Sequence, residues 1–334
     1  MKTIHAPSIE LRESRISPTA IAALAIYAKC GIPLAQEFLG FINSDKIDAS
    51  TRNIATPQGL PTVDFFPMLE ARYRSTDGAI KRLIEERGIE TVLEFASGIS
   101  PVGLALVRDY PIMFIETDIS DEFLYKPELC RKVMQIGNIQ SRGAQQFYKL
   151  NAVTMIGFTE VEKELQPGKP IILTNSGLVT YLSIEDQEKF ASNIKRIMYS
   201  RPGSLWITAD ISLHCKDYFD TMSGISPAFE QQWNDMKAGL RAQLNIDLDE
   251  TTYANEQQAR AFYEQRGFKV TKMDKAELGF DLISESFLTL DLDKKRQLLD
   301  ITEKTCTAWI LELREGTGVI GSKPSLDGSN ILRP

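Results

Sequence analysis

The chain has 334 residues, 43% of them hydrophobic and 25% charged, with a formal net charge of -7. This is globular composition, enough for one large domain with appendages, and the lack of like-charge blocks argues against nucleic acid as a main partner. Cys30, Cys130, Cys215 and Cys306 have no zinc or disulfide spacing, and with only His5 and His214 in the chain a multi-histidine metal centre is excluded. The apolar run 20–27 is too short to span a bilayer, and Glu10, Arg12 and Glu13 do not suit a cleavable signal, so a soluble, reduced, cytoplasmic protein without a membrane partner is expected.

In chain order, Ser17-Pro18 opens a helix, with serine as N-cap and proline in the first turn. Ile21, Leu24, Ala25, Tyr27 and Ala28 form its apolar face, and Gly31-Ile32-Pro33 stops it. Residues 53–67 read as loop, because Pro57, Gly59, Pro61 and Pro67 interrupt them. Asp77 is expected to cap the next helix, with Ile80, Leu83 and Ile84 on one face and Gly88 closing it. Strands are expected at 91–95, 112–117, 146–150, 171–175, 205–210, 268–272 and 307–313. Ser183-Ile184-Glu185-Asp186 reads as a capping box before a helix that turns Phe190, Ile194 and Ile197 inward. Asn255 caps another helix, carrying Ala259, Phe262 and Tyr263. Between them, residues 214–255 read as a helical insertion rich in Phe, Trp and Met. Its segment 218–222, with Trp233 and Met236, is either a lid over a site or plain core. The alternation predicts an α/β fold, a seven-stranded mostly parallel sheet with helices on both faces. The expected division is an N-terminal helical cap over 1–68, the main domain over 69–315 and a tail over 316–334.

The most informative stretch is Thr91-Val92-Leu93-Glu94-Phe95-Ala96-Ser97-Gly98-Ile99-Ser100, followed about twenty residues later by Glu116-Thr117-Asp118. A strand ending in small residues lets backbone approach a ligand closely, and a neighbouring strand ending in a carboxylate offers an acceptor to two ribose hydroxyls. Three readings compete. A phosphate-cradling loop fails, because Leu104-Ala105 follows Gly103 where Lys and Ser or Thr are needed. A dinucleotide turn is weakened, because Ala96, Gly98 and Pro101 supply no third small residue for close helix packing. An S-adenosylmethionine pocket needs only the close turn and the carboxylate. Glu94, a charge inside a buried strand, needs a local partner whichever holds.

Four motifs then resemble the leucine carboxyl methyltransferase family, which includes polyketide and other small-molecule O-methyltransferases within the class I S-adenosylmethionine-dependent enzymes. Ala71-Arg72-Tyr73-Arg74 is similar to its ARxR motif, and Phe95 to Ser100 to its LGAGLD turn. Phe114 to Ser120, with Lys126 behind, is similar to FEVDxP…K, and Ser176 to Leu182 to EGLLMYL. The resemblance covers residues 70–182 and implies a Rossmann-like sheet with a helical lid insertion. It implies that Arg72 pairs with the cofactor's methionine carboxylate, that Gly98 lies under the cofactor, and that Asp118 takes the ribose hydroxyls with Glu116 beside it. Asn151, after the third strand, is then placed to meet the adenine amine. Glu94, Ala96, Asn175 and Ser176 complete the expected cofactor-binding set. Three positions depart from the pattern: Ala96 for a glycine, Ser100 for an aspartate and Ser176 for a glutamate. The first is tolerable if its backbone is extended.

The implied activity is methyl transfer to a carboxylate or hydroxyl oxygen of a small-molecule acceptor, with positioning supplying much of the acceleration. His214, just past the fifth strand, and Tyr181 are the candidate catalytic groups, the histidine serving as base if the acceptor is a hydroxyl. A nicotinamide-dependent oxidoreductase and a non-catalytic S-adenosylmethionine-binding protein are the alternatives, and a homodimer is left open.

Overall fold

The computed structural model describes residues 18–42, 65–120, 122–213, 253–273, 281–283 and 291–314, with isolated positions between 231 and 251 and Leu288. Two short helices come first, α1 (Pro18–Lys29) and α2 (Ala35–Leu39), then the long α3 (Phe65–Arg87). The sheet alternates with helices: β1 (Thr91–Phe95), α4 (Val102–Asp109), β2 (Met113–Asp118), α5 (Lys126–Gly137), β3 (Ala144–Lys149) and α6 (Phe158–Glu164). Then come β4 (Ile172–Asn175), α7 (Ile184–Tyr199), β5 (Leu205–Thr208) and the helical turn α8 (Asp210–Leu213). The chain closes with α9 (Glu256–Gln265), β6 (Phe268–Lys272), α10 (Leu292–Thr305) and β7 (Trp309–Leu313).

The strands form one seven-stranded sheet in the order β3-β2-β1-β4-β5-β7-β6, in which β7 alone runs antiparallel to its neighbours. This is the expected Rossmann-like architecture. Every residue of β1, β4 and β5 is buried, as a strand covered on both faces requires. Alternation sorts them. Val92, Phe114, Ile172 and Ile207 pack with α1 to α5 on one face, while Leu93, Phe95, Ile115 and Leu173 pack with α7 and α9 on the other. On that second face Phe190 meets Trp206 edge-on at 5.5 Å and Trp206 meets Tyr263 at 5.4 Å, a geometry that suits aromatic quadrupoles.

Local chemistry explains several boundaries. Ser183 caps α7 through the Asp186 N–H at 3.1 Å, and Asn255 caps α9 through the Gln258 N–H at 2.9 Å, both as expected. Asp77 is not a cap. Helix α3 starts at Phe65 and passes through it, with Pro67 in the first turn, where a missing N–H costs nothing, and Asp77 pairs with Lys81 one turn on. The fifth strand ends at Thr208, because Asp210 turns the chain into α8. Strands β2 and β3 are offset by one or two residues from their expected bounds, and β7 begins at Trp309. Ser17, most of the 214–255 insertion and the tail from 316 lie outside the described residues.

Candidate functional site

The chain winds outward from β1 to β3 on one side and from β4 to β5 on the other, so the sheet has a topological switch between β1 and β4. At the carboxyl ends there, the turns after β1, β2 and β4 enclose a cavity of about 400 Å³. This is within the range of small-ligand pockets. Its fourth wall is α1, through Ala20, Ala23, Leu24 and Tyr27.

The turn after β1 is stitched to β2. Ser97 N–H donates to the Thr117 carbonyl at 3.0 Å, and the Thr117 hydroxyl donates to the Glu94 carbonyl at 2.8 Å. Gly98 has φ +48, a left-handed conformation that glycine adopts without a Cβ penalty. Ala96 also has φ +53, so its backbone is not extended as the sequence reading required. An L-residue there is strained by roughly 1–2 kcal/mol. Ala96→Gly is therefore expected to stabilise the fold by about 0.5–1 kcal/mol after the entropy of the unfolded glycine is deducted. A rise in thermal midpoint checks it; a fall would show that the methyl group contributes more in contacts than it costs in strain.

Asp118 closes this turn from the neighbouring strand. Its Oδ2 accepts the Gly98 N–H and its Oδ1 the Ser120 N–H, both at 2.9 Å. The two residues whose proximity the sequence argument required are thus in direct contact, and both line the cavity.

Glu116 lies two residues deeper on the same strand face and does not line the cavity. It is fully buried and forms an ion pair with Lys126, with Gln145 as a second partner. Gly103 in the first turn of α4 lies over it: a Cβ there would overlap Glu116 Oε1. Gly103 is thus the third small residue, allowing the close helix packing that the sequence reading did not find. Glu94 is in register with Glu116 on β1, faces the same side and does line the cavity. Its Oε2 is buried with no hydrogen-bond partner among the described residues. Burial, reinforced by the charges of Glu116 and Asp118, raises its pKa to about 8, with Lys126 acting the other way. Burial pushes both carboxyls up, and contact with Lys126 opposes this at Glu116.

Arg72 reaches the opposite side of the cavity from α3. Burial works against its charge, but Tyr27 and Asp210 more than restore it and hold its pKa above the ordinary value. Its Nε is buried without a hydrogen-bond partner among the described residues. Ser176 and Tyr181, in the segment after β4, complete this side. Asn175 does not join them. Its amide donates to Thr208 and Asp210 and accepts from the Trp206 indole, at 3.1, 2.7 and 2.8 Å, so it is spent inside the sheet.

Asn151 is likewise removed from the cavity. Its Oδ1 accepts the N–H groups of Val153 and Thr154 at 2.9 and 3.0 Å, which makes it a turn former. His214 lies outside the described residues, immediately after α8. The structure therefore brings Arg72, Glu94, Ala96, Gly98, Asp118, Ser176 and Tyr181 together, and leaves Glu116, Asn151 and Asn175 elsewhere. Sequence reasoning missed Tyr27 and Asp210. A carboxylate at the end of a strand beside the switch point was the available signal for Asp210. No cluster of three or more potential metal-ligating side chains occurs among the described residues, and none of their helices is long and apolar enough to cross a membrane.

Fold and site together define a doubly wound α/β protein with a small-ligand pocket at its switch point. No protein-family model matches the chain, and no curated protein matches it either. Among solved structures it is similar to a Thermobifida fusca YX protein assigned as a methyltransferase, at 14% identity and a TM-score of 0.49, over 87% of this chain and 94% of that one. It is similar to magnesium protoporphyrin IX methyltransferase from Synechocystis PCC 6803 with bound SAM, at 12% identity and a TM-score of 0.38, over 69% and 85%. It is also similar to PigF with SAH, at 15% identity and a TM-score of 0.37, over 63% of this chain and about half (55%) of PigF. The likeness is one of fold.

Proposed function

We propose that this protein is an S-adenosylmethionine-dependent methyltransferase acting on a carboxylate or hydroxyl oxygen of a small molecule. One observation carries the reading: Arg72 and Glu94, side chains of opposite character that each hold a buried polar atom without a hydrogen-bond partner among the described residues, line one cavity together with Gly98 and Asp118. A zwitterionic amino-acid head joined to a ribose suits that donor set. Arg72 would hold the carboxylate, Glu94 the ammonium and Asp118 the ribose hydroxyls, since each Asp118 oxygen has a lone pair beyond its one backbone bond. A dinucleotide suits it less, because the Asp118 carboxylate beside the turn would repel a pyrophosphate seated there.

Bound here, the cofactor would supply an electrophilic methyl group. The chain's own residues do the rest. Helix α1 forms the wall facing this turn, where a Cβ on Gly98 would stand 3.5 Å from that of Ala20. Tyr181 and Ser176 border the side away from β2 and are proposed to orient the acceptor. A carboxylate acceptor needs no base. A hydroxyl acceptor does, and His214 is proposed for that task.

Calorimetric titration with S-adenosylhomocysteine tests the reading, and absence of binding by the unaltered chain would end it. Asp118→Ala is expected to weaken that binding by roughly 1–3 kcal/mol, the loss of a charged hydrogen bond. Undiminished affinity in the variant would remove Asp118 from the site.

A further inference from the structure

We propose that Asp210 is a positioning residue for the anion-binding corner of the cavity, acting through Arg72 and the turn beneath it. The proposal rests on the cofactor reading above. Asp210 is fully buried at the start of α8 and does not line the cavity. Its Oδ2 accepts from Leu178 N–H at 2.9 Å, Val179 N–H at 3.2 Å and the Asn175 amide at 2.7 Å, while Oδ1 accepts from Gly177 N–H at 2.7 Å. Three consecutive backbone amides aimed at one point make an anion nest, and here the protein fills it with its own carboxylate. A ligand carboxylate cannot use those amides, so the cavity's cation must come from a side chain.

Arg72 is that side chain, and Asp210 sets where it sits. Oδ1, with one backbone donor, stands 3.9 Å from Arg72 Nη1. This is close enough for strong attraction in a buried site but too long for a hydrogen bond, so Asp210 itself does not occupy the guanidinium's N–H groups. The turn that Asp210 holds is also the surface on which Arg72 rests, for a Cβ on Gly177 would lie 3.4 Å from Arg72 Nη2. Tyr27 holds the guanidinium from α1. Arg72 is thus fixed from two elements while its Nε stays unpartnered. That is the arrangement of a pre-organised receptor for a carboxylate.

The test uses two probes on the full chain: S-adenosylhomocysteine, which carries the amino-acid carboxylate, and 5′-methylthioadenosine, which lacks it. Asp210→Asn keeps the shape of the side chain but removes its charge and sets an amide N–H against a backbone N–H. Its affinity for S-adenosylhomocysteine is expected to fall by about tenfold or more, while that for 5′-methylthioadenosine changes by less than about twofold. Equal losses for the two probes, or no loss for either, would overturn the positioning role while leaving the cofactor reading intact. Failure of the unaltered chain to bind either probe would sink both. Gly177→Ala perturbs the same joint while leaving the Asp210 carboxylate in place, should Asp210→Asn not fold, at the cost of an alanine held at φ +78. It should show the same selectivity between probes, and an unselective result there overturns the proposal equally.

Discussion

Replacing Lys126 with methionine is expected to reduce folding stability by about 3–5 kcal/mol near neutral pH, the largest effect of any single change at this site. Lys126 and Glu116 are both wholly buried, and the ammonium is the only cation in contact with Glu116 among the described residues. Methionine keeps the unbranched stem, so packing against Phe123 largely survives and the loss is electrostatic. Without its counter-charge Glu116 must take up a proton to stay buried, and its folded pKa rises further above the unfolded value. Such a group favours the fold fully below its unfolded pKa and loses that contribution as pH rises toward the folded one. The deficit of Lys126→Met relative to the unaltered chain should therefore shrink on acidification and grow toward alkaline pH. Adding Glu116→Gln removes the stranded charge and should recover most of the loss, since a buried pair replaced by neutral groups is often nearly neutral overall. Urea unfolding of the single and double variants at several pH values checks this. A double variant no better than the single one would mean that Lys126 contributes through packing.

The legible parts of the fold are those where a local pattern and the tertiary context agree. Thr91–Phe95 and Phe268–Lys272 are strands with the bounds their sequences suggest, because each is a short β-rich run, the first left through Ala96 at φ +53 and the second entered through Gly267. Strand β3 is less legible. Its Gln145 and Gln146 carry no strand signal, and its register comes from pairing with β2. Asp77 looked like a cap because aspartate favours that position, yet α3 had already begun about three turns earlier and its interior tolerates an Asp–Lys pair. Within the site, Gly98 and Asp118 could be found from strand-end chemistry. Glu116 could not be separated from Asp118 by sequence, because both project to one face and only depth under α4 distinguishes them. Asp210 stood out only as a carboxylate at a strand end; its role was not legible, because its partners at 177–179 lie more than thirty residues away and only the β4–β5 pairing brings them together.

The same carboxylate pair gives the second large expectation, which concerns Glu94. Its pKa of about 8 in the folded chain, against 4.5 for the ordinary group, means that the native state holds a proton which the unfolded state releases between those values. Stability associated with Glu94 is therefore complete below about pH 4.5, declines as pH rises and is gone above about pH 8, at about 1.4 kcal/mol for each pH unit crossed. Glu94→Gln cannot ionise and should not show this decline. The difference in stability between variant and unaltered chain should be small in mild acid and reach a few kcal/mol in favour of the variant near pH 8. A difference that stays constant with pH would show that Glu94 is ionised in the folded state. Ligand binding should reverse the ranking. A bound ammonium can replace the proton on Glu94, so the unaltered chain should bind S-adenosylhomocysteine with release of a proton at neutral pH, seen as a dependence of the calorimetric heat on the buffer's ionisation enthalpy. In Glu94→Gln both that proton release and much of the affinity should be lost. The more stable protein would thus be the poorer receptor, as expected where a buried carboxylate is kept for a cation rather than for the fold.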